Sequence, residues 1–90
     1  MNSENSLDRL GIGDTAVVVR LRTHGVMRRR LLDIGLTEGT CVECVGRSPS
    51  GDPAAYLIRG AVIAIRAEDC TDIIVREEND NGINETFNRT

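Results

Sequence analysis

The sequence contains no lysine and no tryptophan, and aromatic residues make up only 2% of it, one Tyr and one Phe. Without lysine, every fixed positive charge is a guanidinium. Without aromatics, the chain cannot line the kind of groove that grips proline-rich peptides, since Tyr56 is the lone aromatic before the C-terminal tail. It also lacks the stacking platforms that hold single-stranded nucleic acids. There is one histidine, His24, with no Ser or Cys near it in sequence to act as a nucleophile. The carboxylates form no recognisable acid–base constellation, so the chain reads as non-catalytic, with no catalytic or cofactor-binding residue to assign. No run approaches the roughly 18 apolar residues of a membrane-spanning helix. The N-terminal stretch MNSENSLDRL has neither the basic nor the apolar part of a secretory leader, and the expectation is a cytoplasmic protein.

Ninety residues make room for one small domain. The net charge is −3, and its placement is uneven. Residues 1–76 hold ten acids and ten arginines; Glu77, Glu78, Asp80 and Glu85 against Arg89 supply the whole excess. The part that folds is therefore neutral overall. That argues against a nucleic-acid partner, for which a strongly basic face is expected.

Local patterning divides the chain into a flexible N-terminus (1–9), a folded domain (10–76) and an acidic disordered tail (77–90) with little to bury. Thr15–Leu21 is a β-branched run of strand length. In the segment after it, Met27, Leu31 and Ile34 share one helical face, with Thr23 a plausible N-cap. Gly35 ends that helix in the left-handed conformation, and Leu36 folds back on its last turn. Thr40–Arg47 reads as a strand with Val42 and Cys44 on one face and Cys41, Glu43 and Val45 on the other. The loop Ser48–Pro53 is stiffened by two prolines. Strands over Ala54–Arg59 and Ala61–Arg66, a helical turn at Ala67–Cys70 and a strand over Asp72–Arg76 complete the pattern. The fold class is all-β: a small SH3-like β-barrel of about five strands with one short α-helix after the first strand.

Three motifs invite chemistry. Cys41-Val42-Glu43-Cys44 has the spacing of a zinc knuckle, but inside a strand its two thiols point to opposite faces, and no second ligand pair accompanies them. No metal ligand is assigned. Gly11-x-Gly13-x-x-Ala16 matches a degenerate dinucleotide fingerprint, but it precedes a strand, whereas the fingerprint functions at a helix N-terminus. The third is an arginine cluster, Arg20, Arg22, Arg28, Arg29 and Arg30, with no acid among them. Successive helical residues turn by about 100°, so Arg28–Arg30 fan out. They read as a solvated face, as a docking surface for an acidic partner or anionic lipid, or, least of the three, as a nucleic-acid contact.

The stretches RLLDIGLTEGT (30–40), RSPSGDP (47–53), Ile58-Arg59-Gly60 and Ala64-Ile65-Arg66, in that order, resemble the FeoA family, ferrous iron transport protein A. The resemblance runs from about Leu10 to Arg76. It implies a stand-alone SH3-like domain and a non-catalytic cytoplasmic accessory protein of bacterial ferrous iron uptake. It implies as partner the FeoB transporter, whose transport or GTPase activity the chain would modulate by docking on its cytoplasmic part. The expected docking residues are Arg28 and Arg29, the apolar Leu36, and Pro49, Gly51, Asp52 and Pro53 of the projecting loop. The alternative is a metal- or redox-responsive regulatory module acting through Cys41, Cys44 and Cys70. Free barrel edges leave a homo-oligomer open.

Overall fold

The computed structural model describes residues 4–78. Strand β1 (Glu4–Ser6) leads through a 3-10 turn (Leu7–Arg9) to β2 (Thr15–Leu21), helix α1 (Gly25–Asp33) and strands β3 (Cys41–Arg47), β4 (Ala54–Ile58) and β5 (Ala61–Ile65). A one-turn helix α2 (Ala67–Cys70) and strand β6 (Ile73–Glu77) follow. All six strands pair antiparallel in one sheet, in the order β1-β6-β2-β3-β4-β5.

The period of two decides which side chains face inward. Ala16 and Val18 of β2, Val42 and Cys44 of β3, Ala54, Tyr56 and Ile58 of β4, and Ile73 and Val75 of β6 are all buried. Cys41 and Val45 face outward, as the alternation in β3 requires. Register shifts after Val18 and after Cys44 add local twist, which helps the sheet curl on itself. The curl is visible in contacts between elements that are distant in the strand order. The Tyr56 hydroxyl on β4 lies 3.5 Å from the Leu7 carbonyl just after β1, and the Arg47 guanidinium at the end of β3 donates to the Leu10 carbonyl at 2.6 Å. The result is a small SH3-like barrel whose core is completed by Leu7, Leu10, Leu31, Leu36, Ile65 and Cys70.

The N-terminus departs from expectation. Glu4–Ser6 forms a sixth strand on β6 rather than a flexible lead, and Leu7 is fully buried. The reason is side-chain chemistry beyond the strand itself. The Glu4 carboxylate takes a short contact from Arg20 and lies 3.9 Å from Arg76, so it bridges β2 and β6. At the other end, Glu77 belongs to β6, and the Glu78 amide donates to the Thr15 carbonyl at 3.1 Å. Glu77 is thus part of the sheet and Glu78 is bonded to it; the rest of the expected tail lies outside the described residues.

The helix starts one residue later than expected. His24 occupies the N-cap position, without a side-chain cap bond, while Thr23 is buried and its hydroxyl has no partner among the described residues. Nothing in the structure explains that orphan hydroxyl. The helix end follows the glycine stop closely. With Gly35 at φ +93°, its amide donates to the Leu32 carbonyl at 3.0 Å and the Leu36 amide to the Leu31 carbonyl at 2.9 Å. This is a Schellman closure, in which an apolar residue after the glycine packs back on the helix.

A second turn locks onto that closure. Arg59 and Gly60 both have positive φ, 48° and 85°, the geometry of a two-residue type I′ hairpin between β4 and β5. A non-glycine residue there costs about 1–2 kcal/mol. The Arg59 side chain offsets this: its Nε donates to the Gly35 carbonyl at 2.9 Å and its Nη2 to the Thr40 hydroxyl at 3.2 Å. Hydrogen bonds from a charged group contribute about 1.5–3 kcal/mol each, less where solvent screens them. A cation at a helix C-terminus is also favoured by the helix dipole.

A Cβ built on Gly35 would lie 2.5 Å from Arg59 Cδ, whereas one on Gly39, at nearly the same φ, meets nothing within 4 Å. Gly39→Ala is expected to lower stability by about 1 kcal/mol through backbone strain alone. Gly35→Ala is expected to cost about 1–2 kcal/mol more, because Arg59 must leave its acceptors. In an Arg59→Ala background that excess should vanish, which urea denaturation of the four variants would measure.

Candidate functional site

Helix α1 turns one face to the core and the other to solvent. Leu31 is buried, Met27 and Ile34 are half-buried against it, and the opposite side carries Val26, Arg28, Arg29 and Leu32. Val26 is 75% exposed and Leu32 39%, which places two apolar side chains beside two guanidinium groups. Gly25, Arg28, Arg29, Leu32 and Asp33 line a shallow groove of about 400 Å³. Arg28 Nη1 also reaches the Leu21 carbonyl at 3.2 Å, which steers that side chain toward the end of β2. Among the described residues, neither Arg28 nor Arg29 forms an ion pair; the ion pairs present are those of Arg20 and Arg76 with Glu4.

The arginine cluster thus separates into parts. Arg20 closes β1 against the sheet, Arg28 and Arg29 flank the outer groove, and Arg30 lies on the other side of α1, toward β5. Gly25, Leu32 and Asp33 complete the outer groove, and Val26 is exposed on the same side of the helix. Val26 is recoverable from the helical period, because it falls off the Met27–Leu31–Ile34 stripe.

Leu36 does not belong to a docking surface. It is fully buried, because the Schellman closure that ends α1 swings it onto Leu31 in the core. Turning a buried Leu out to meet a partner forfeits about 1.5–3 kcal/mol. Pro49, Gly51, Asp52 and Pro53 are exposed. Their loop is held rather than loose: the Ser48 amide donates to the Pro53 carbonyl at 3.0 Å, the Gly51 amide to the Ser48 carbonyl at 2.8 Å, and Asp52 Oδ1 accepts from the Ala67 amide at the start of α2 at 2.9 Å. The small cavity beneath this loop and the groove on α1 share no lining residue, so the structure does not bring helix and loop into one cleft.

The three cysteines have separate environments. Cys41 is exposed, while Cys44 and Cys70 are buried, and none is in a disulfide. Among the described residues, no group of three or more His, Cys, Asp or Glu side chains converges as a metal site would require. Partial burial, then the charge of Glu78 and a hydrogen bond to it, then Glu43, raise the Cys41 thiol above its ordinary value, the opposite of what an activated thiolate needs. Burial pushes the Cys70 thiol up to about 11; its contact with the Tyr56 hydroxyl works against this, while Asp8, Asp69 and Asp52 add to it. Tyr56 is raised well above the usual phenol range, chiefly by burial.

These observations define a class: a small SH3-like β domain that presents a basic-and-apolar helix face. Comparison with known proteins narrows it. The FeoA domain matches residues 5–77, and the chain belongs to the FeoA family. That is a family of small accessory domains of ferrous iron transport, not a known family of enzymes. The chain is 38% identical over 69 residues to a Fe(2+) transport protein A/Fe(2+) transporter FeoB fusion protein of Porphyromonas gingivalis; the match takes in 77% of this chain and 8% of the fusion protein. The solution structure of FeoA from Chlorobium tepidum superposes with a TM-score of 0.80 at 28% identity, over 86% of this chain and 73% of that one. The crystal structure of Stenotrophomonas maltophilia FeoA complexed with zinc, described as an SH3 domain protein, shares the fold with a TM-score of 0.70 at 24% identity, over 78% of this chain and 87% of that one. No helix among the described residues is long and apolar enough to cross a membrane.

The buried thiol links stability to pH. Cys70 has a folded value of about 11 against an ordinary 9.0, so the unfolded chain releases this proton first as pH rises. Its contribution is complete below pH 9 and is lost as the pH climbs from about 9 to 11. Denaturation at stepped pH should show stability falling across that window, with a shallower fall in Cys70→Ala; an equal fall in both would show that the thiol is not responsible.

Proposed function

We propose that this chain is an accessory module of ferrous iron uptake that docks on the cytoplasmic part of the FeoB transporter and modulates its transport or GTPase activity. The observation that carries the reading is the relative in which a FeoA part and a FeoB part are one polypeptide. Covalent fusion keeps the two at high local concentration, and separate chains achieve the same only by binding.

The surface we assign to docking is the outer face of α1. Exposed Val26 and Leu32 supply an apolar centre, and Arg28 and Arg29, without an ion pair among the described residues, supply a residue type enriched at interface hot spots. A guanidinium gives directional, bidentate pairing with carboxylates, so an acidic patch on the partner is the natural complement. The exposed loop residues Pro49, Gly51, Asp52 and Pro53 form a separate, rigid contact region.

Binding of the chain to purified full-length FeoB, with and without guanine nucleotide, tests this. Wild type is expected to bind saturably, and Arg28→Glu/Arg29→Glu to bind at least about tenfold more weakly, a loss of about 1.4 kcal/mol. Cys41→Ser is expected to bind as wild type. Undiminished binding by the charge-reversed pair would remove α1 as the docking surface, and a loss specific to Cys41→Ser would favour a thiol-based regulator instead.

A further inference from the structure

Strand β5 lies at one end of the sheet, with β4 on one side and, among the described residues, no strand on the other. The two-residue turn at Arg59–Gly60 makes Ile58 and Ala61 the hydrogen-bonded pair that closes the hairpin. Alternation then gives Ile63 and Ile65 their bonds to β4, and turns the N–H and C=O of Val62 and Ala64 toward the free edge. Val62 is 65% exposed and Ala64 is exposed too, so neither α1 nor any other described element covers this edge. Natural edges are usually protected by charge, proline, a bulge or shortness. The opposite edge, β1, is three residues long and carries Glu4. Ala61–Ile65 has five residues and none of those devices.

Beside this edge, α1 and β5 diverge around a groove of about 230 Å³. Its floor is apolar: Met27, Ile34 and Ile63 are half-buried there against the core. Arg30 and Arg66 stand at the rim with Asp69, both arginines exposed and neither in an ion pair among the described residues. An unpaired strand edge next to an apolar groove with a positive rim is a composite feature. Main-chain bonds would supply affinity, and the groove would select alternate side chains.

We propose that β5 and this groove bind an extended protein segment by strand addition, and that the segment alternates apolar with acidic residues. Its apolar side chains enter between α1 and β5, and its carboxylates pair with Arg30 and Arg66. A second copy of this chain fits less well: its β5 brings no acid to answer the two arginines. The site lies on the opposite side of α1 from Arg28 and Arg29 and stands or falls independently of transporter docking.

The test uses the isotope-labelled full chain and two capped heptapeptides, EVTVEIE and its basic counterpart KVTVKIK, followed by amide chemical shifts and hydrogen exchange. The acidic peptide is expected to bind saturably, to shift residues 61–66 and those of α1 facing them, and to protect the Val62 and Ala64 amides. The basic peptide is expected to bind at least about tenfold more weakly. Ala64→Pro is expected to abolish binding while retaining the native spectrum, because the lost N–H is one that β4 does not use. Should that variant unfold, Arg30→Glu/Arg66→Glu serves in its place, with the peptide preference expected to reverse. Equal binding of both peptides, shifts confined to other regions, binding seen only after residues 79–90 are removed, or a concentration-dependent dimer lost in Ala64→Pro would each overturn the proposal.

Discussion

The carbonyl of Gly35 is the point on which the structure turns. It receives the Thr37 amide at 3.0 Å, the Thr40 hydroxyl at 3.0 Å and the Arg59 guanidinium at 2.9 Å. Those donors come from the segment leading to β3 and from the β4–β5 hairpin, so one acceptor ties the end of α1 to two separate parts of the sheet. A helix of nine residues has little stability of its own and takes its position from what it packs against. Here that position is set at one end by the polar knot and along one side by Leu31 and Leu36 in the core. Both grooves that flank α1 inherit their shape from this arrangement.

The requirement for glycine at 35 has two independent sources. The backbone sits at positive φ, which disfavours any side chain, and the space a Cβ would take is occupied by Arg59. Arg59 is itself in a left-handed conformation that suits glycine or asparagine better, and it is retained there by what its side chain reaches. Glycine is the good local choice at 35, whereas arginine at 59 is a poor one whose cost its bonds to Gly35 and Thr40 offset. Local propensity and tertiary contact agree at Gly35 and disagree at Arg59, where the contact prevails.

Much of this is legible in the sequence, and the parts that are not have a common cause. Strands β2 to β6 declare themselves by alternation and by the glycines and prolines between them, and α1 by the Met27–Leu31–Ile34 stripe. Strand β1 does not, because Glu4-Asn5-Ser6 carries no apolar residue; it exists through Glu4 reaching Arg20 and through Leu7 reaching the core. Leu36 shows both sides of the matter. Its fold-back is readable from the glycine before it, yet folding back is also what buries it, so a residue that ends the helix well cannot serve a partner. Arg28 and Arg29 are readable as exposed from the helical period alone. Arg59 is not readable as a helix cap, since that role exists only once two distant turns meet.

The strand order carries a consequence for how the chain is made. Strand β1 makes its main-chain pairing with β6, and β6 lies between β1 and β2. Of these six strands β1 is made before the others, and it has no strand to pair with until β6 follows. At synthesis rates of roughly 5–20 residues per second, the stretch from Ser6 to Ile73 takes about 3–13 s to appear. Throughout that interval, Glu4 lacks Arg76 and Leu7 lacks a finished core to enter. The hairpins β3–β4 and β4–β5 can form as they emerge, but closure of the barrel is a single late event that commits both ends of the domain together.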